Sequence, residues 1–330
     1  MQRATHVHID DRAVATLCQA WVASPPGGQH ASEAPLDVPG WNRDLHYFDG
    51  TPRSANYVLV LDALNFSFWP DPGQPRWTVF WREHELSGYW ALTACLLRAI
   101  EDRIPVLDAG WLAEVTPDMV ERLLRGTTGQ IPLMEARHAH LQEVGRLLLE
   151  RYDGQFIHVV EDVGRNAVRL ALRVSDELSS FHDVARYHDL TVPLLKRAQI
   201  TAVDLFGTFD GREWGKLTGL DGLTAFADYK VPQILRRLGI LVYDATLTET
   251  VDRGVLIPPG DEREVEIRAA TVDAVERIRL GLTGRGVTLK AFEIDWVLWG
   301  LTQRPASSLS HGLPALSEER PYHKTRTIFY

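Results

Sequence analysis

Cysteine is scarce in this chain: only Cys18 and Cys95 occur among 330 residues. Two thiols so far apart match no metal-ligand spacing and frame no disulfide scaffold, so both read as buried thiols in a reducing compartment. No segment approaches the roughly 18 uninterrupted apolar residues that a membrane span needs, and residues 1–10 are polar and charged where a signal peptide would be apolar. The expected location is cytoplasmic, with no membrane partner. Positive charge is also in deficit, with 35 Lys and Arg against 44 Asp and Glu and a net charge of −9. A protein that grips a long duplex needs a basic stripe, because phosphate contacts supply most of that affinity. A nucleic-acid polymer is therefore not expected as a partner, whereas a small anionic ligand remains open.

Catalytic templates are missing as well. The chain holds no GxSxG elbow, no GxxxxGK[ST] phosphate loop, no GxGxxG and no HExxH. The pairs His6 and His8, and His138 and His140, have no supporting cluster of Cys or carboxylates, so no metal is expected. There is no internal repeat, low-complexity tract or long like-charge block.

What remains is an ordinary folded composition, 45% hydrophobic and 24% charged, with ten tryptophans grouped in short aromatic segments. Such planar surfaces either fill a core or sandwich a planar ligand. Residues 24–39 are rich in Pro and Gly and read as a loop that ends a helix over 10–22. The run YVLVL at 57–61 reads as a short strand, and WTVFW at 77–81 as a second. From Leu86 onward the apolar spacing turns to three and four, which predicts helices through 92–100, 141–152, 165–172, 191–204, 225–238 and 264–280. Thr116-Pro117-Asp118 is a helix start, with Thr as N-cap and Pro in the first turn. The expectation is one domain over 1–330, mainly α with a small β element, in which 1–90 hold the strands and loops and 91–330 carry most of the site.

Four segments place polar residues among apolar ones. The first is DALNFSFW at 62–69, with His46 upstream, which reads equally well as turn polar groups beside packed aromatics. The second, TGLDGLTAFADYKVPQILRRLGI at 218–240, sets Asp228 at the beginning of a helix, where the dipole and free N–H groups favour a carboxylate. Phe226, Tyr229 and Lys230 bracket it with rings and a cation, and Pro232 fixes the first turn. The third, FEIDWVLW at 292–299, puts Asp295 and Trp299 on one helical face; a buried Asp there needs a partner, either a structural hydrogen bond or a ligand's donors. The fourth is the aromatic and basic end, YHKTRTIFY at 322–330, suited to dock and offer cations to an anion, with Lys196 and Arg197 as further candidates.

Together LDALNFSFW (61–69), LLKRAQI (194–200), FADYKVPQILRRLGIL (226–241), EIDWVLW (293–299) and PYHKTRTIFY (321–330) resemble the queuosine salvage family, the queuosine 5′-phosphate N-glycosylase/hydrolases. The motifs cover nearly the whole chain in the family's order. The resemblance implies release of queuine, a 7-deazaguanine base, from queuosine 5′-monophosphate, with no metal or organic cofactor and by a monomer. It gives Asp228 the nucleophile's role, or that of stabilising an oxocarbenium ion. For such a base, Asp295 is suited to hold its amine and ring N–H and Phe226 or Trp299 to stack on its face, and His46 matches a family position that contacts the ligand, through the cyclopentenediol hydroxyls. Lys196, Arg197, Lys230, His323, Lys324 and Arg326 form the pool for the phosphate. The family in turn looks like the helix-hairpin-helix DNA glycosylases in fold. Here, however, the turn at 217–223 stands closer to the Asp than their hairpin does, which with the acidic charge argues against hairpin-mediated DNA binding. A base-excision glycosylase acting on DNA or RNA, and a non-catalytic 7-deazaguanine-binding protein, are the alternatives.

Overall fold

Capping residues mark where the helices of this chain begin. Thr51, Asp108, Thr116, Asn166, Asp244 and Asp261 each accept a backbone N–H in the first turn that follows. The structure, a computed structural model, describes residues 3–23, 41–303 and 320–330. The elements run β1 (Val7–Ile9), α1 (Asp11–Ala23), α2 (Pro52–Ala63), β2 (Thr78–Trp81), β3 (His84–Ser87) and α3 (Tyr89–Glu101). Next come α4 (Ala109–Glu114), α5 (Pro117–Leu123), α6 (Met134–Arg151), α7 (Phe156–Asp162), α8 (Ala167–Glu177), β4 (Val184–Tyr187) and β5 (Leu190–Pro193). The chain continues with α9 (Lys196–Thr208), α10 (Lys230–Arg237), β6 (Leu241–Tyr243), α11 (Ala245–Asp252), α12 (Glu262–Thr283) and α13 (Ala291–Thr302). The architecture is mainly helical, and the strands form small antiparallel pairs, β1 with β6, β2 with β3 and β4 with β5.

Three readings of local structure need correction. The run at 57–61 is not a strand but the middle of α2, in which every residue from Ser54 to Ala63 is buried. A helix covered on all sides has no polar face to print a period on the sequence. The helix expected from Thr191 begins at Lys196, because 184–193 form the β4–β5 hairpin around a left-handed His188 (φ 52°). The helix expected from Ala225 begins at Lys230, whose amide and that of Val231 donate to Asp228 Oδ1. The loop expected at 24–39 lies outside the described residues.

The chain folds into two compact units that are interleaved in sequence. The first comprises the described parts of Met1–Pro39, Val184–Lys196 and Asp221–Arg326. Here α1 and α13 pack on α12, and α10 packs on α13, around a core that includes Leu17, Trp21, Ile234, Leu235, Ile267, Ile278, Ile294 and Leu298. Glu266 on α12 draws in the chain's beginning by accepting the amides of Thr5 (2.9 Å), His6 (2.6 Å) and Val7 (2.9 Å) and the Tyr187 hydroxyl (2.7 Å). The terminal segment docks on the same unit, where Lys324 O accepts the Ile257 amide at 2.8 Å.

The second unit comprises the described parts of Gly40–Asp183, Arg197–Leu220 and Thr327–Tyr330. Its α6 crosses α4 at Gly145, where an added Cβ would stand 2.3 Å from the Ala113 amide nitrogen. Two fully buried arginines gather the carbonyls at the end of α2. Arg137 donates to Leu64 O, Phe66 O and Ser67 O, and Arg197 donates to Asp62 O, Ala63 O and Ser180 O. A helix end buried in this way must find donors for its last carbonyls, and guanidinium groups supply them.

Candidate active site

In the first unit, the segment leading into α10 is fixed at three successive residues. The Phe226 amide donates to Asp295 Oδ1 at 2.9 Å. The Ala227 carbonyl accepts from Arg268 Nε at 2.9 Å. Asp228 Oδ1 accepts the amides of Lys230 (2.7 Å) and Val231 (2.8 Å). Asp228 therefore meets the positive end of α10 with one oxygen. Its Oδ2 accepts no hydrogen bond among the described residues, and the residue keeps 8% exposure.

The electrostatics of the two carboxyls differ. Burial raises the pKa of Asp228, and the Lys196 ammonium, the two amides and Lys230 pull against that rise. Burial raises Asp295 more strongly, to well above the usual carboxylate range, and the neighbouring Asp228 charge adds to it against the Phe226 amide and Lys196. Both carboxyls are thus shifted upward, Asp295 the further, by burial and by their mutual repulsion. Lys196 is buried and acts on both.

Several of the expected residues belong to the same unit as this pair. Phe226 is buried, and Trp299 lies one turn beyond Asp295 on α13, half-buried against the core. Lys230 Nζ stands 5.0 Å from the centre of the Tyr322 ring, which lies 4.8 Å from that of Tyr229. His323 is fully buried, and desolvation with the Arg268 charge lowers its pKa to about 3, so it is neutral. Lys324 and Arg326 are half-buried on the docked terminal segment.

His46 and Arg197 belong to the second unit. His46 stacks on Trp41 at 3.9 Å, with Tyr57, Tyr89 and Trp90 around it. Its Nδ1 lies 2.7 Å from Asn42 O, so it carries the proton and Nε2 accepts from the Tyr89 hydroxyl at 2.9 Å. Desolvation lowers its pKa to about 4 against the pull of Asn42, which keeps the ring neutral. Arg197 turns both terminal nitrogens onto main-chain carbonyls of its own unit. Sequence reasoning missed Arg268, Glu264 and Tyr89, since a lone Arg or Glu in a long helix gives no sign of what it touches. Among the described residues, no group of three or more His, Cys, Asp and Glu gathers to hold a metal ion.

Residues 45–330 match the family model described as queuosine salvage protein. The chain belongs to the queuosine salvage family. Among curated members of the family, it is 45% identical to the queuosine 5′-phosphate N-glycosylase/hydrolase of Sphaerobacter thermophilus, over 100% of this chain and 95% of that protein. It is 32% identical to the protein of that name from Bos taurus, over 100% of this chain and 96% of the relative. The Mus musculus protein of the same name is 34% identical over 87% of this chain and 86% of its own length. The queuosine salvage model thus covers the segments that carry Asp228, Asp295 and His46.

Proposed function

We propose that this chain hydrolyses the N-glycosidic bond of queuosine 5′-monophosphate to queuine and ribose 5-phosphate, for salvage of the base. The observation that carries the reading is Asp228, with one oxygen fixed on two amides and the other accepting nothing among the described residues. Names shared by relatives across bacteria and eukaryotes support the substrate.

Cleavage of the bond leaves positive charge on the ribose anomeric carbon and an electron pair on the departing base. The Asp228 carboxylate serves as nucleophile or as counter-charge to the oxocarbenium ion, and water then delivers its oxygen to the sugar. The base needs a proton or a hydrogen bond as it leaves. Asp295, whose pKa burial raises well above the usual carboxylate range, suits that step, and its Oδ1 is steadied by the Phe226 amide. Phe226 and Trp299 supply faces for the planar base. Lys196, Lys230, Lys324 and Arg326, all of the first unit, form the cationic pool for the phosphate. His323 is uncharged and Arg197 is committed to carbonyls, which makes them weaker members of that pool. The free buried thiols of Cys18 and Cys95 suit a cytoplasmic enzyme, and we read it as a monomer that uses water alone as co-reactant.

The test is release of queuine, followed by chromatography with mass detection, from queuosine and from its 5′-monophosphate, with wild type beside Asp228→Asn. Release from the monophosphate that disappears in the variant is the expected result. Binding of queuine without release from either substrate would leave a base-binding protein.

A further inference from the structure

The backbone that carries Asp228 is held from behind by a buried charge pair. Arg268 projects from α12 and is 2% exposed, and its Nε–H donates to the carbonyl of Ala227, the residue before Asp228, at 2.9 Å. One turn earlier on the same helix Glu264, also 2% exposed, meets the guanidinium Nη1 at 3.4 Å. The other Glu264 oxygen accepts the Gly260 amide at 3.1 Å, which anchors the acid to the loop ahead of α12. Burying two charges is costly, and apolar side chains of similar volume would pack the same space at lower cost. What apolar side chains lack is a planar donor held in one orientation, and the Ala227 carbonyl receives that donor here.

Three consecutive residues are thus pinned at one polar atom each from three helices: Phe226 by α13, Ala227 by α12 and Asp228 by α10. We propose that Arg268 is a positioning residue for the reaction: through the Ala227 carbonyl it fixes the backbone from which Asp228 meets the sugar, and Glu264 holds the guanidinium in place. The inference rests on the N-glycosylase reading. It concerns geometry and not charge, because the groups that set the titration of Asp228 are burial, Lys196, Lys230 and the two amides.

The experiment compares full-length wild type, Arg268→Gln, Arg268→Lys and Glu264→Gln with queuosine 5′-monophosphate as substrate and thermal melts alongside. Displacing a catalytic group by about 1 Å costs on the order of 10²-fold in rate, so Arg268→Gln is expected to lose kcat by about that factor, with KM within about threefold of wild type. Arg268→Lys, which keeps one donor for Ala227, recovers part of that loss, and Glu264→Gln shows a smaller loss in the same direction. The acid limb of the kcat profile stays in place in all three. A folded Arg268→Gln with kcat within about threefold of wild type, a risen KM with kcat preserved, or a displaced acid limb would each overturn the proposal. If Arg268→Gln does not fold, Arg268→Lys and Glu264→Gln decide by the same criteria. An active wild type with unaltered variants fails this inference alone, whereas a wild type that releases no queuine fails the N-glycosylase reading and takes this inference with it.

Discussion

Replacing Asp228 by asparagine separates the charge of this side chain from its shape. The amide oxygen can occupy the Oδ1 position and accept the Lys230 and Val231 amides, so the start of α10 is preserved, while an NH2 group takes the place of Oδ2. A carboxylate about 3.5 Å from a cationic anomeric carbon, at an effective dielectric constant of about 20, stabilises it by about 5 kcal/mol. Losing that interaction slows the reaction by between three and four orders of magnitude, at about 1.4 kcal/mol per tenfold. Stability moves the other way. The folded protein holds the Asp228 proton more tightly than the unfolded chain does, so stability drains as pH rises from the ordinary carboxylate value of 3.8 through the raised one. Asparagine bears no such cost, so the variant matches or exceeds wild-type stability near about pH 8 and loses that advantage near about pH 3. Single-turnover queuine release and thermal melts at both pH values test the pair of effects. Activity within about tenfold of wild type, or an inactive variant whose midpoint falls by several degrees near about pH 8, would refute the reasoning.

Other perturbations have equally definite signs. Lys196 is the leading charge that lowers the pKa of Asp228, so Lys196→Met pushes that carboxyl further up. Because the ionised form does the work, the rate is then lost at a higher pH as the medium is acidified, and an unmoved acid limb in the kcat profile would contradict this. Gly145→Ala should gain up to about 1 kcal/mol from helix propensity, yet its Cβ would stand 2.3 Å from Ala113 N and 2.7 Å from Ala109 O, both backbone atoms that cannot yield. The net loss is about 2–3 kcal/mol, and a thermal midpoint that rises instead would show propensity outweighing the clash. At Glu266, burial raises the carboxyl pKa, but the donors of Thr5, Tyr187, His6 and Val7 outweigh it and hold the group below its ordinary 4.5. That stability is present above about pH 4.5 and is lost as pH falls through the lower folded-state value, so Glu266→Gln costs about 1.5–3 kcal/mol at neutral pH. Denaturant titration should show the difference from wild type narrowing in acid.

The mainly helical character of the fold is legible in the sequence, while several single elements are not. Asp228 and Asp295 stand out because a carboxylate among aromatics and aliphatics must find donors, and backbone amides supply them at both. The helix α2 hides because complete burial erases its period, although Thr51-Pro52 has the same cap-and-proline form that marks a helix start at Thr116-Pro117. The β4–β5 hairpin gives no turn signal because its turn is made by His188 and Asp189 without glycine or proline. Arg268 is illegible for a different reason: its partner is a carbonyl 41 residues away, and main-chain atoms leave no mark on a sequence.

The amides gathered by Glu266 also determine when the beginning of the chain can find its place. Val7 and Glu266 are 259 residues apart, and β1 pairs with β6 rather than with anything nearby. At about 5–20 residues per second, a ribosome needs roughly 10–50 s to deliver that partner after Val7 has been made. Throughout that interval Val7, Ile9 and the apolar face of α1, with Val14, Leu17 and Trp21, have no α12 to cover them. A segment made 259 residues before its cover is among the last to be packed, which makes it a natural holding point for a chaperone and the place where premature association between nascent chains would start.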